Sequence, residues 1–140
     1  KTCKDMVDIP VPLFGHTGYR FIAKRMKNWP TKLGEKTASM WLEHFIRMME
    51  EIGTGGAGFR FIYSAFLQEA ADELNEPWLK DISTEMTANG DLLREFALHS
   101  NKICKNRATQ DVGYDQLADM LIKVADNEKE IFTKLKKLGK

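Results

Sequence analysis

Four glycines fall within six residues between Gly53 and Gly58, and a dense apolar run follows them at once. Glycine reaches positive φ cheaply and commonly closes a helix just past its end, so a helix is expected to stop here and another to start. Residues 58–74 then carry Phe59, Phe61, Ile62, Tyr63, Ala65, Phe66, Leu67, Ala70, Ala71 and Leu74. Only Arg60, Ser64, Gln68, Asp72 and Glu73 form a polar strip. A helix apolar around most of its circumference is expected to be enclosed by others. The reading is an all-α fold, a compact bundle of about five helices around a central buried helix that follows the Gly-rich turn.

The remaining helices read from their periodicity. Tyr19, Phe21, Ile22 and Met26 predict a short helix over 17–27 that ends at Trp29-Pro30, because proline disfavours α geometry in the residue before it. Over 35–52, Met40, Trp41, Phe45, Met48, Met49 and Ile52 recur at three- and four-residue steps and predict one buried face. Pro77 suits the first turn of the next helix. Its stripe of Trp78, Ile82, Met86, Leu93, Phe96 and Ile103 runs to about Lys105, with a bend expected at Asn89-Gly90. After Gly113, Tyr114, Leu117, Leu121, Val124, Ile131, Leu135 and Leu138 form a regular seam, and Lys134, Lys136 and Lys137 suit the dipole at its C-terminal end. No alternation of period two is long enough for a sheet.

A chain of 140 residues can bury a core without metal or disulfide staples, and residues 14–140 read as one helical domain. Residues 1–13 hold Pro10 and Pro12 among charges and read as a linker or truncated connection. With Lys rather than Met in first place, the chain is expected to be a piece of something longer. A net charge of +1 supplies no attraction for a polyanion, so nucleic acid is not implied. The most apolar stretch spans seven residues, 61–67, about one-third of a bilayer crossing, and no membrane partner is expected. Cys3 and Cys104 fit no disulfide framework, which makes reduced thiols and a cytoplasmic location the expectation.

No catalytic constellation, cofactor box or metal site emerges. Gly53, Gly55 and Gly58 satisfy G-x-G-x-x-G, but the dinucleotide fingerprint needs a strand before it, and here a long helix comes first. The Walker pattern lacks its Lys-Ser/Thr pair. A ligand or anion site remains open at Thr54, Gly55, Gly56 and Arg60, where backbone N–H groups at a helix start and a guanidinium would meet a phosphate or carboxylate. The structural alternative has the glycines set a sharp turn while Arg60 answers Glu50 and Glu51 in the last turn of the preceding helix. His16, His44 and His99 form no ligand pair on one helix face. Cys104 reads as a small boundary residue near a helix end, with no base in view. Tyr63 and Glu69 are the polar groups on the apolar helix expected to be partly buried, Glu69 with a raised pKa if unpaired.

The string GTGGAGFRFIYSAFLQEAA from Gly53 resembles the helical domain of unknown function that follows the N-terminal domain of butirosin biosynthesis protein H-like proteins. FGHTGYRFIAKRMKNWP, residues 14–30, resembles the same family's Gly-x-x-Gly-Ile-x-x-Leu-Ala region ending in Trp-Pro. The resemblance implies an upstream papain-like domain whose cysteine and histidine perform acyl transfer or amide-bond chemistry. It implies for this chain an accessory role, contributing contacts to an acceptor, an acyl carrier protein or a homodimer partner, and no nucleophile. Neither Cys3 nor Cys104 matches a family nucleophile. Two readings stand beside it: a small-anion or ligand-binding module at the Gly53–Gly56 loop and Arg60, and a structural module that dimerises through its last helix.

Overall fold

The computed structural model describes residues 2–53, 55–108 and 111–139, and among them every regular element is helical. Seven α-helices follow in order: α1 (Thr2–Asp8), α2 (Gly15–Met26), α3 (Trp29–Leu33), α4 (Glu35–Glu50), α5 (Arg60–Glu73), α6 (Trp78–Cys104) and α7 (Tyr114–Leu135). A 3₁₀ turn, Ala57–Phe59, leads into α5, and another, Lys136–Gly139, closes the described chain. The all-α bundle expected from the sequence is therefore observed.

Its centre lies elsewhere than expected. The spine is the antiparallel pair α6 and α7, and each of the two helices runs through both hydrophobic clusters. One cluster joins Ala23 and Met26 of α2, Leu42 and Ile46 of α4, Leu93 and Phe96 of α6, and Leu117 and Leu121 of α7. The other joins Leu67 and Ala71 of α5, Ile82 and Met86 of α6, and Ile131, Phe132 and Leu135 of α7. The seam read along the last helix is thus consumed internally from Leu117 to Leu135, while Leu138 beyond it is 41% exposed.

α5 is a flank of the bundle. Phe59, Ile62 and Phe66 are 55%, 56% and 55% exposed, which overturns their assignment to an enclosed central helix. The buried stripe is instead Ser64, Leu67 and Ala71. The cause is close helix approach through small residues. Ser64 Oγ and Ser83 Oγ lie 2.8 Å apart, and the Ser83 hydroxyl donates to the Ser64 carbonyl at 2.8 Å. Gly90 of α6 lies so near Phe61 that a Cβ there would stand 2.8 Å from the ring. Phe61 finds room against Gly90, whereas Phe59, Ile62 and Phe66 lie off this contact and face outward.

The same substitution of faces occurs on α4. Ala38, Leu42, Ile46 and Met49 are buried, whereas Met40, Trp41 and Met48 are 60%, 49% and 54% exposed, and Ile52 beyond the helix is exposed as well. α6 is unbroken through Asn89-Gly90: Asn89 accepts a hydrogen bond from Asn127 Nδ2 of α7 at 3.0 Å, and Gly90 makes room for Phe61. Trp29-Pro30 ends α2 as expected but also opens the short α3, with proline in its first turn. The first residues, expected as a linker, wind into α1, whose Cys3, Met6 and Val7 pack against the second cluster and whose Asp8 accepts from Lys136 Nζ at 2.7 Å.

Candidate functional site

Because α4 buries its Ala38–Leu42–Ile46 face, its heavier apolar face borders open space beside α2. The two helices and α3 enclose a groove of about 500 Å³ lined by Phe21, Ile22, Arg25, Trp29, Met40, Trp41, His44, Phe45 and Met48. Trp29 and Trp41 meet edge to face with centroids 5.8 Å apart, and Phe45 meets the core ring of Phe96 in the same way at 5.8 Å. The Arg25 guanidinium stands 4.1 Å from the Phe21 ring centre. These contacts hold the groove walls in fixed positions.

The groove continues at both ends. Past Trp29 and Trp41 a basin of about 600 Å³ adds Lys24, Asn28, Lys32 and Leu33. Past Phe21, Ile22 and Phe45 a smaller recess of about 310 Å³ reaches Met6, Leu13, Tyr19 and Arg60. The three hollows share Phe21 in their walls, and a mostly apolar hollow with a few polar groups is the usual form of a small-molecule site.

A buried ion pair lies at the deep end. Glu128 of α7 is fully buried, and its Oε1 accepts from Arg60 Nε at 2.7 Å and Arg60 Nη2 at 2.7 Å. Arg60 Nη1 also donates to the Gly58 carbonyl, and the guanidinium lies 5.5 Å from the Tyr19 ring centre. Burial works against the Arg60 charge, but Tyr19 and the Glu128 carboxylate prevail and raise its pKa further. Burial, with the Glu128 charge beside it, pushes the Tyr19 phenol well above its ordinary value. Among the described residues, the second carboxylate oxygen of Glu128 and Nδ1 of buried His16 have no hydrogen-bond partner. Burial foremost, then the charges of Lys129 and Arg20, hold His16 below its ordinary pKa, so it is neutral.

The residues singled out in the sequence are dispersed. Thr54 lies outside the described residues. The Ala57 N–H at the turn is taken by Glu50 Oε1 at 3.0 Å, and both the Glu50 carboxylate and the Arg94 guanidinium crowd Gly56. Gly56, at φ 83° and ψ 156°, holds a backbone conformation that only glycine adopts freely. The chain's own carboxylate thus sits where an external anion would bind. Arg60 faces Glu128 and not Glu50 or Glu51, which corrects that pairing; Glu51 is met by Arg47 at 3.6 Å.

Glu69 is exposed, so its expected partial burial is overturned. Tyr63 is half-buried, in tilted ring contact with Phe66 and Phe132 and with its hydroxyl 3.9 Å from Cys3 Sγ. Cys104 ends α6, and its thiol contacts the Ser39 carbonyl at 3.5 Å. Burial pushes this thiol up, the reverse of what a nucleophile needs. His99 stands 3.6 Å from Glu95. Among the described residues no three His, Cys, Asp or Glu side chains converge as metal ligands, and no helix is long and apolar enough to cross a membrane.

Two features escaped the periodicity. Glu128 occupies a seam position, four residues after Val124 and three before Ile131, and a carboxylate in such a seam was the available signal of a buried pair. The groove had no comparable signal, because its lining is the same set of aromatic and Met residues that a core would use.

No curated protein and no solved structure matches this chain. Residues 1–135 match the family described as a domain of unknown function, DUF4872, and the chain belongs to that family.

Proposed function

We propose that this domain is an accessory binding module that receives the apolar part of a substrate in the α2–α3–α4 groove and leaves covalent chemistry to another part of its protein. The observation that carries the proposal is the solvent-open face of Met40, Trp41 and Met48 over a rigid aromatic floor. Folding normally buries so much apolar surface, and a contiguous exposed patch marks an interaction site. The absence of a lowered-pKa thiol at Cys104 agrees with a non-nucleophilic role. The resemblance to butirosin biosynthesis protein H-like proteins supplies the reaction class, cysteine-dependent acyl transfer by an upstream domain.

The direct test is titration of the domain with N-phenyl-1-naphthylamine, a neutral apolar dye. Saturable binding that weakens about tenfold or more in Trp41→Ala is expected, as for an aromatic anchor in a binding patch. Absence of saturable binding overturns the groove as a site. In the longer native protein, removing this domain should alter substrate selectivity, and an upstream domain equally active and selective without it would refute the accessory role.

A second reading concerns the exposed row Phe59, Ile62 and Phe66 on and before α5, spaced three and four residues apart. That row offers a face for homodimerisation that α7, already buried, does not. Light scattering across concentration tests it: a dimer that Phe66→Glu dissociates supports the reading, and a monomer throughout refutes it.

A further inference from the structure

Along α2 the cations divide by the side they face. Arg20 pairs with Asp126 of α7, and Lys27 Nζ lies 2.8 Å from Asp119 of α7. Arg25 on the groove side, Lys24, which borders both the groove and an α7-side basin holding Asp115, and Lys32 on α3 have no ion-pair carboxylate among the described residues. Neither the basic basin nor the apolar basin beside it has an aspartate or glutamate in its lining. At the far recess the one cation, Arg60, is already neutralised by Glu128. Arg25 borders both basins, and Lys24 and Lys32 add two further cations at the basic end, so the positive charge available to a ligand is concentrated at one end of the groove.

We infer that the groove takes an amphiphile with a single anionic head and an unbranched aliphatic chain, of the fatty-carboxylate class. The head is held at Lys24, Arg25 and Lys32, and the chain passes over Trp29 and Trp41 toward Phe45 and Met48. The inference rests on the groove reading above and adds its ligand chemistry and polarity. Apolar area supplies affinity, and unpaired cations at one end supply orientation, since a head placed at the Arg60 end meets a pair that is already satisfied. The volumes, about 500 and 600 Å³ for the two adjoining basins, lie in the range of small-molecule sites.

The test compares decanoate with decanol, both as free monomers, by quenching or shift of tryptophan fluorescence and by calorimetry. Decanoate is expected to bind about tenfold more tightly than decanol at low salt, the effect of two or three partly exposed ion pairs, and to lose that advantage as salt rises. The double variant Lys24→Glu, Lys32→Glu should weaken decanoate about tenfold while leaving decanol within about twofold. Equal affinity for acid and alcohol, or equal response of both to the charge reversal, overturns the anionic-head assignment and leaves the apolar groove standing. Failure of both to bind removes the groove itself. Binding to phosphatidylglycerol vesicles without binding of free decanoate overturns the inference in favour of a membrane surface. The charge-reversed positions are exposed, so folding of the variant is read independently from its thermal transition.

Discussion

Glu128 and His16 are the residues whose environments make the sharpest demands. Removing one partner of a buried ion pair strands the other charge, so Glu128→Ala should cost about 3–5 kcal/mol by denaturant unfolding. The double variant Arg60→Met, Glu128→Leu should recover most of that loss, because apolar replacements of similar volume remove both desolvation costs. A loss under about 1 kcal/mol for Glu128→Ala would show that the pair is not dry. His16 has its pKa lowered in the folded state, so the unfolded chain binds the proton more readily. Its contribution is intact above the unfolded value of 6.5 and is lost as pH falls through the lower folded pKa. His16→Gln should therefore flatten the decline of the melting temperature between about pH 7 and 5; identical slopes in the two proteins would refute the assignment. Glu69 and Glu128 illustrate what a sequence conceals at this scale. Each has apolar residues one helical turn away, Phe66 for Glu69 and Val124 and Ile131 for Glu128, but only packing decides which helix face is covered.

Five of the seven α-helices were legible, α1 and α3 being too short to show a periodic stripe. Gly15–Met26, Glu35–Glu50, Arg60–Glu73, Trp78–Cys104 and Tyr114–Leu135 all lie close to the spans that periodicity indicates. Which face each helix buries was less legible, because α4 and α5 carry two apolar stripes apiece. Side-chain mass favoured Met40, Trp41, Ile62 and Phe66, while the chain buries the slimmer rows through Ala38, Ser64 and Ala71. Slim rows let helix axes approach, and the gain in close packing along the whole contact exceeds that from burying a few rings. Phe66→Ala should accordingly cost less than about 1 kcal/mol, and Phe96→Ala, whose ring is fully buried, about 3–5 kcal/mol. The reverse order would restore α5 to the centre. At the α5–α6 contact, Gly90→Leu should cost about 1–3 kcal/mol as overpacking, and adding Phe61→Ala should return part of it. Additive losses would place the strain elsewhere.

At the scale of the molecule, α6 and α7 satisfy both hydrophobic clusters and free α2, α3 and α4 to shape a groove. A bundle that used every large apolar side chain for stability would have no such surface. This chain holds back Trp41, Met40 and Met48 and surrounds them with rings fixed by Phe96 and by each other. That arrangement was invisible in composition, since an apolar stripe bound for a ligand and one bound for a core read alike. The glycine turn is the most distinctive string in the sequence, yet its Ala57 amide is capped by Glu50 and Arg60 just beyond it is paired with Glu128. Backbone and side-chain NMR of the domain during titration with decanoate tests the groove most directly. The account predicts saturable shifts at Phe21, Ile22, the indoles of Trp29 and Trp41, and the Met40 and Met48 methyls, with Phe59, Ile62 and Phe66 unmoved. Shifts confined to the α5 row, or spread evenly over all exposed apolar residues, would contradict it.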